Sequence, residues 1–213
     1  FVIFYFFSDA MVGKMAVPFL GAKGLGFSDG DIGTVRQGLG LFATIVGTLT
    51  GGVILSKIGV NRSLWTFGIL QTLSNLGYYL LAVVGKDYTA LVLAINVENF
   101  CSGLGTAGFL GYLMTLCNPS FSATQYALLS SLFAVGRDLL ASPLSGELAQ
   151  SIQKQMPTWT GINQIMWLAG GDGKGWALFF LLTVVLALPG MMFLPFFAPW
   201  NEIKKLEQLP DDL

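Results

Sequence analysis

The chain has 213 residues, a formal net charge of −1 and 11% charged residues, where a soluble protein carries about 25%. With 54% hydrophobic residues and a mean hydropathy of +0.67, it cannot clothe a water-facing surface in polar groups. A soluble enzyme and a disordered tail are both excluded. Having no His excludes a His-ligated metal site and a His-based triad, and two Cys leave a thiolate zinc site nearly as remote. No cofactor is implied. A near-neutral charge without a basic cluster argues against nucleic-acid binding. What remains is an integral membrane protein in a lipid bilayer.

A hydrocarbon core about 30 Å thick takes about 20 mostly apolar helical residues to cross. Six segments meet this, at about 1–20, 32–55, 63–84, 89–116, 123–152 and 176–197. Polar clusters separate them at 24–31, 57–62, 85–87, 118–122 and 153–174. The apolar runs are long and do not alternate in twos, so helices are predicted and not barrel strands. Residues 1–200 thus read as one six-helix transmembrane domain, and 201–213 as a polar tail. Phe1 already stands in an apolar run with no charged leader, so the sequence reads as a piece cut before or inside a membrane helix. The connection 153–174 is the longest; its Met156, Trp159, Ile162, Ile165, Met166 and Trp167 suggest a short interfacial helix. Basic residues divide four against four between the two sides, so the positive-inside rule leaves the orientation open.

Ionisable residues inside spans cost about 2.5–3.5 kcal/mol each at mid-helix and are therefore the main functional signal. They are Asp9 and Lys14 in span 1, Arg36 in span 2, Glu98 in span 4, and Arg137 and Asp138 in span 5. Spans 3 and 6 carry none. The order charged, charged, clean occurs twice, which reads as a three-helix unit used twice, its third helix facing lipid. The expected architecture is all-α: two inverted three-helix repeats with spans 3 and 6 outermost. At 100° per residue Glu98, Ser102, Gly105 and Tyr112 share a face of span 4, and Thr124, Ser131, Asp138, Ser142 and Ser145 share one of span 5. The blander reading is that these charges pair between helices and hold the bundle. Gln71 and Asn75, one turn apart, are expected to bond to a neighbouring helix. Gly47 and Gly51, and the ladder Gly103, Ala107, Gly111, allow close helix approach.

Residues 52–62, Gly-Val-Ile-Leu-Ser-Lys-Ile-Gly-Val-Asn-Arg, look like a degenerate loop signature of the major facilitator superfamily, with Ser56 where the acid would stand. A more specific resemblance rests on Leu39 to Gly47, Gly68 to Tyr78, Glu98-Asn99-Phe-Cys-Ser-Gly-Leu-Gly-Thr106, Leu113 to Asn118 and Ser120-Phe-Ser-Ala-Thr-Gln-Tyr-Ala-Leu-Leu-Ser-Ser131 through Arg137. These runs resemble the muropeptide permeases of the AmpG type, over about Ser8 to Arg137 and loosely Gly175 to Gly190. The resemblance implies the C-terminal half of a twelve-helix major facilitator transporter in the bacterial inner membrane. It would import anhydro-muropeptides with protons, and the other half of the chain would be its structural partner. The loop at 57–62 and the tail would be cytoplasmic. Departures are Ser8 for Gly before Asp9, Arg36-Gln37 for Asn-Lys, Lys14 for a small residue, and Asp138 after Arg137.

On that footing the proton-coupling candidates are Asp9, then Glu98, then Asp138, because a symporter needs an intramembrane carboxyl that changes protonation. Arg36 and Arg137 would grip anionic groups or pair with the acids. Asn99, Gln125 and Tyr126, within the matching motifs, join them as substrate-binding or charge-network residues. The alternatives are a carrier of another large anionic solute such as acetyl-CoA, and a membrane-embedded enzyme. The lack of His disfavours the enzyme.

Overall fold

The computed structural model describes residues 5–21, 23–118, 121–155, 175–198 and 200. Helix α1 is Phe7–Leu20, α2 is Asp29–Ile58, α3 is Val60–Val84, α4 is Tyr88–Thr115, α5 is Ser122–Gln155 and α6 is Trp176–Phe197. The described residues contain helices and turns but no strand. Four helices, α2, α3, α4 and α6, are long and apolar enough to cross a membrane. They coincide with the predicted spans 2, 3, 4 and 6 to within about three residues at either end. The 14 described residues of α1 are too few to cross. In α5 the apolar part is confined to Ala123–Val135. The predicted interfacial helix at 153–174 and the tail at 201–213 fall almost wholly outside the described residues.

Helix ends follow local chemistry. Ser28 caps α2, its Oγ accepting from the Asp31 amide at 3.1 Å, and the Asp87 carboxylate caps α4 by accepting from the Ala90 amide at 2.7 Å. Gly59 and Gly85 take φ of +82° and +89°, which lets α2 turn into α3 and α3 into α4 within one and three residues. Two irregularities lie inside helices. Residues Thr34–Gly40 of α2 form π-helical turns, a feature that often marks functional sites. Helix α3 breaks at Asn75, between Val60–Ser74 and Leu76–Val84.

The helices run up and down. At one end Lys86 Nζ donates to the Gly26 carbonyl at 2.6 Å and lies 5.5 Å from the Phe27 ring centroid. Trp176 Nε1 donates to the Lys23 carbonyl there. At the other end Trp65 Nε1 donates to the Ala198 carbonyl at 3.0 Å, and Arg62 lies over Trp200 at 5.8 Å. The α1–α2 and α3–α4 connections therefore share one end with the start of α6. The α2–α3 turn shares the opposite end with its finish.

Lipid supplies little hydrophobic drive between helices, so close packing and polar bonds hold the bundle. The most extensive packing is α2 on α4, and glycines permit it. A Cβ on Gly47 would strike the Phe100 carbonyl, one on Gly51 would lie 2.9 Å from Ala107 Cβ, and one on Gly103 would strike the Thr44 carbonyl. The two small-residue patterns thus meet each other. Helix α1 packs on α5 and α6, and α3 on α4 and α6. Aromatic clusters fill both ends: Phe19, Tyr78 and Trp176 around Phe180, and Phe6 and Phe133 around Phe109. Exposed apolar residues lie on α3 (Ile69, Leu73, Leu80, Val84) and α6 (Val185, Leu188, Met192, Phe196), and equally along α2 (Leu41, Phe42, Leu49, Val53), so faces suited to lipid are not confined to α3 and α6.

Candidate functional site

An open cleft of about 740 Å³ runs between α1, α2 and α4, lined by Val17, Asp29, Ile32, Gly33, Arg36, Gln37, Leu41, Thr44 and Asn99. Most of the lining comes from α2, and the π-helical turns explain how. In a straight α-helix, Thr44 would stand about 80° round from Arg36. The wider π turns take up part of that angle, so both side chains reach the cleft.

Arg36 is half-buried. Its Nη1 is fully buried with no hydrogen-bond acceptor among the described residues. Such a donor costs about 1–3 kcal/mol, more when charged, unless something fills it. Asn99 sits beside it with every polar atom engaged. Its Nδ2 donates to the Ile95 carbonyl at 2.8 Å and to Glu98 Oε2 at 3.1 Å. Its Oδ1 accepts from Thr44 Oγ1 at 3.2 Å. Gly40 makes room for that amide, since a Cβ there would lie 3.1 Å from Nδ2.

Behind the cleft lies a buried polar layer. Glu98 is 9% exposed. It accepts a long bond of 3.4 Å from the Tyr78 hydroxyl and interacts electrostatically with Asp9 and Arg36. Asp9 Oδ1 accepts from Gln71 Nε2 at 2.6 Å. Asn75 Nδ2 donates to Ser8 Oγ at 3.4 Å, and Ser8 Oγ donates to the Thr183 carbonyl at 2.5 Å. Gln71 and Asn75 thus turn inward to bond with α1, and through Ser8 the chain of polar contacts reaches α6.

The structure therefore brings Asp9, Arg36, Glu98 and Asn99 together. It sets Gln125 and Tyr126 apart. Gln125 Oε1 accepts from the Asn118 amide at 2.6 Å in the α4–α5 connection, and Tyr126 lines a small recess with Met114, Cys117 and Ala123. The physical reason is that both stand in the first turn of α5, level with the end of α4. Arg137 and Asp138 lie on α5, but their side chains are outside the described ones. Sequence reasoning gave no role to Thr44 or Tyr78; the one available signal was spacing, each standing two turns after a Gln (Gln37 and Gln71) on the same helix face.

An apolar helical bundle with four helices long enough to cross a bilayer, holding a cleft with an unfilled Arg donor and two acids behind it, has the make-up of a membrane protein. Comparison with known proteins narrows the class. The chain is 40% identical over 193 residues to the anhydromuropeptide permease of Escherichia coli (strain K12), covering 91% of this chain and 34% of that protein. It is 34% identical over 193 residues to the putative transporter AmpG 4 of Rickettsia felis, covering 91% of this chain and 41% of that protein. It is 31% identical over 197 residues to the putative transporter AmpG 3 of Rickettsia prowazekii, covering 92% of this chain and 40% of that protein. Over about nine tenths of its length the chain is thus similar in sequence to AmpG-type permeases, and it spans between a third and about two fifths of the length of these relatives. No protein-family model matches it.

Proposed function

We propose that this chain is the C-terminal half of a major facilitator transporter that imports anhydro-muropeptides across the bacterial inner membrane with protons. It is then a carrier and not an enzyme. The observation that carries the reading is the buried, unfilled Nη1 of Arg36 at a cleft of about 740 Å³. A cell-wall fragment offers carboxylates for Arg36, and hydroxyls and amides for Gln37, Thr44 and Asn99. The name of the Escherichia coli relative, an anhydromuropeptide permease, supports a muropeptide over acetyl-CoA. Asp9 and Glu98 supply two carboxyls behind the site for proton exchange, and Arg137 and Asp138 of α5 are proposed as a further part of the charge network. The proposal includes the six-span, inverted-repeat layout, with 57–62 in the cytoplasm and the connections 21–31, 85–88 and 153–174 outside.

The test is uptake of labelled anhydro-disaccharide peptide, with acetyl-CoA as the competing solute, by reconstituted full-length protein. Arg36→Gln should reduce muropeptide uptake about 10- to 100-fold, the value of one or two charge-assisted hydrogen bonds. Arg36→Lys should recover part of it, since an ammonium keeps the charge but loses the planar fork. Undiminished uptake by Arg36→Gln would remove Arg36 from the site.

A further inference from the structure

We propose that Asn99 is the element through which occupancy of the cleft drives proton uptake at Glu98. This rests on the transporter reading above and specifies its regulation.

The inference follows from the hydrogen-bond inventory of one amide. The Asn99 NH₂ group has two hydrogens, and both are spent, one on the Ile95 carbonyl and one on Glu98 Oε2. Its carbonyl faces Thr44 Oγ1, whose single hydrogen is shared between Asn99 Oδ1 at 3.2 Å and the Gly40 carbonyl at 3.0 Å. This orientation is fixed by its surroundings. The flipped amide would set its oxygen against the Ile95 carbonyl and the Glu98 carboxylate, two acceptors with no hydrogen to offer. Asn99 nevertheless lines the cleft. A ligand oxygen can therefore take an Asn99 N–H only by competing with a present acceptor. The Glu98 bond, at 3.1 Å against 2.8 Å, is the longer of the two, and its acceptor is a rotatable side chain where the other is the backbone of α4.

Loss of that bond removes a donor that favours the charged carboxylate. An anionic group on Arg36 acts in the same direction, because it neutralises the cation whose field reaches Glu98. Among the described residues, the other groups facing Glu98 do not cancel this. Asp9 of α1 is an acid and disfavours a second negative charge, and Tyr78 of α3 contributes one long bond. Cys101, on α4 itself, also senses Glu98. Helix α6 has no ionisable residue. The proton balance is at most one proton for each ligand bound, taken from solvent by Glu98 where the empty protein holds it as the carboxylate. By reciprocity, protonating Glu98 frees Asn99 and Arg36 and tightens ligand binding. Ligand and proton thus favour one another's binding, as a symporter requires.

The measurement is the affinity of full-length protein in detergent for anhydro-disaccharide tripeptide, across pH. One linked proton gives a change of up to about tenfold per pH unit, with affinity rising as pH falls. The total span expected between the plateaux is about 5- to 150-fold. Glu98→Gln should flatten the profile. Asn99→Ala should cut the span to about a third or less of the wild-type value while the protein still binds. Thr44→Val, which removes the hydroxyl holding the Asn99 amide, should narrow it too, and carries the test if Asn99→Ala does not fold. A wild-type protein that binds the tripeptide with no pH dependence overturns the coupling and leaves the transporter reading standing. An unchanged span in both Asn99→Ala and Thr44→Val overturns the role of Asn99. A wild-type protein that fails to bind the tripeptide at any pH overturns the transporter reading, and this inference with it.

Discussion

The α2–α4 contact should be far less tolerant of one methyl group than the rest of α2. A Cβ at Gly103 would meet three backbone atoms of α2: the Thr44 carbonyl oxygen, Thr48 N at 2.8 Å and Gly47 C at 3.1 Å. Backbone atoms cannot rotate away, so Gly103→Ala must push the helices apart until 2.8 Å becomes at least the 3.4 Å of ordinary contact. Overpacking costs about 1–3 kcal/mol, and a backbone-only clash belongs at the upper end. Alanine returns about 1 kcal/mol of helix propensity, leaving a net loss of about 2 kcal/mol. The same displacement would carry the 3.2 Å bond from Thr44 to Asn99 beyond hydrogen-bond range. Gly52, one position past Gly51, would meet nothing within 4 Å, so Gly52→Ala should gain up to about 1 kcal/mol. Denaturing-detergent titration of full-length protein in mixed micelles reads both variants on one scale. An unfolding midpoint for Gly103→Ala at or above that for Gly52→Ala would refute the close approach of α2 and α4.

Further consequences concern the buried acids and their partners. Asp9→Asn and Glu98→Gln in full-length protein should each abolish accumulation driven by a pH gradient, with at least one retaining substrate binding or exchange; normal accumulation by both would make these acids structural. Gln71→Leu removes the 2.6 Å donor to Asp9 and should cost about 1.5–3 kcal/mol of stability. Its cost should shrink by about 1 kcal/mol or more in an Asp9→Asn background, and a double-mutant cycle reads that difference. Trp65→Phe deletes the bond that ties α3 to the Ala198 carbonyl and should lose about 1 kcal/mol, seen as earlier unfolding in the same detergent titration.

Much of the fold was written along the chain. Apolar runs of about 20 residues between polar clusters located α2, α3, α4 and α6, because bilayer thickness sets a length and water rejects such runs. Two glycine patterns marked where helices could approach closely, and the cost of an intramembrane charge singled out Asp9, Arg36 and Glu98. Partnership was another matter. The spacing of Gln71 and Asn75 put them on one face of α3 and predicted bonds to a neighbouring helix, but not that Asp9 and Ser8 of α1 would receive them. Gln125 and Tyr126 sit in a motif as specific as Asn99, yet the fold leaves them by the end of α4.

The difference has a physical origin. Hydropathy, spacing and charge are properties of one strand of sequence, and they fix which residues enter the membrane and which share a face of an ideal helix. Where a face points depends on its neighbours, through glycine-sized gaps such as Gly40 beneath Asn99 and through departures from ideal winding. The π turns at Thr34–Gly40 and the break at Asn75 are such departures, and no local signal announced either. The sequence by itself determined that polar groups would be carried into the bilayer and on which spans. Only tertiary packing decided that Arg36 would keep an unfilled donor at a cleft, and that one amide would join the cleft to Glu98.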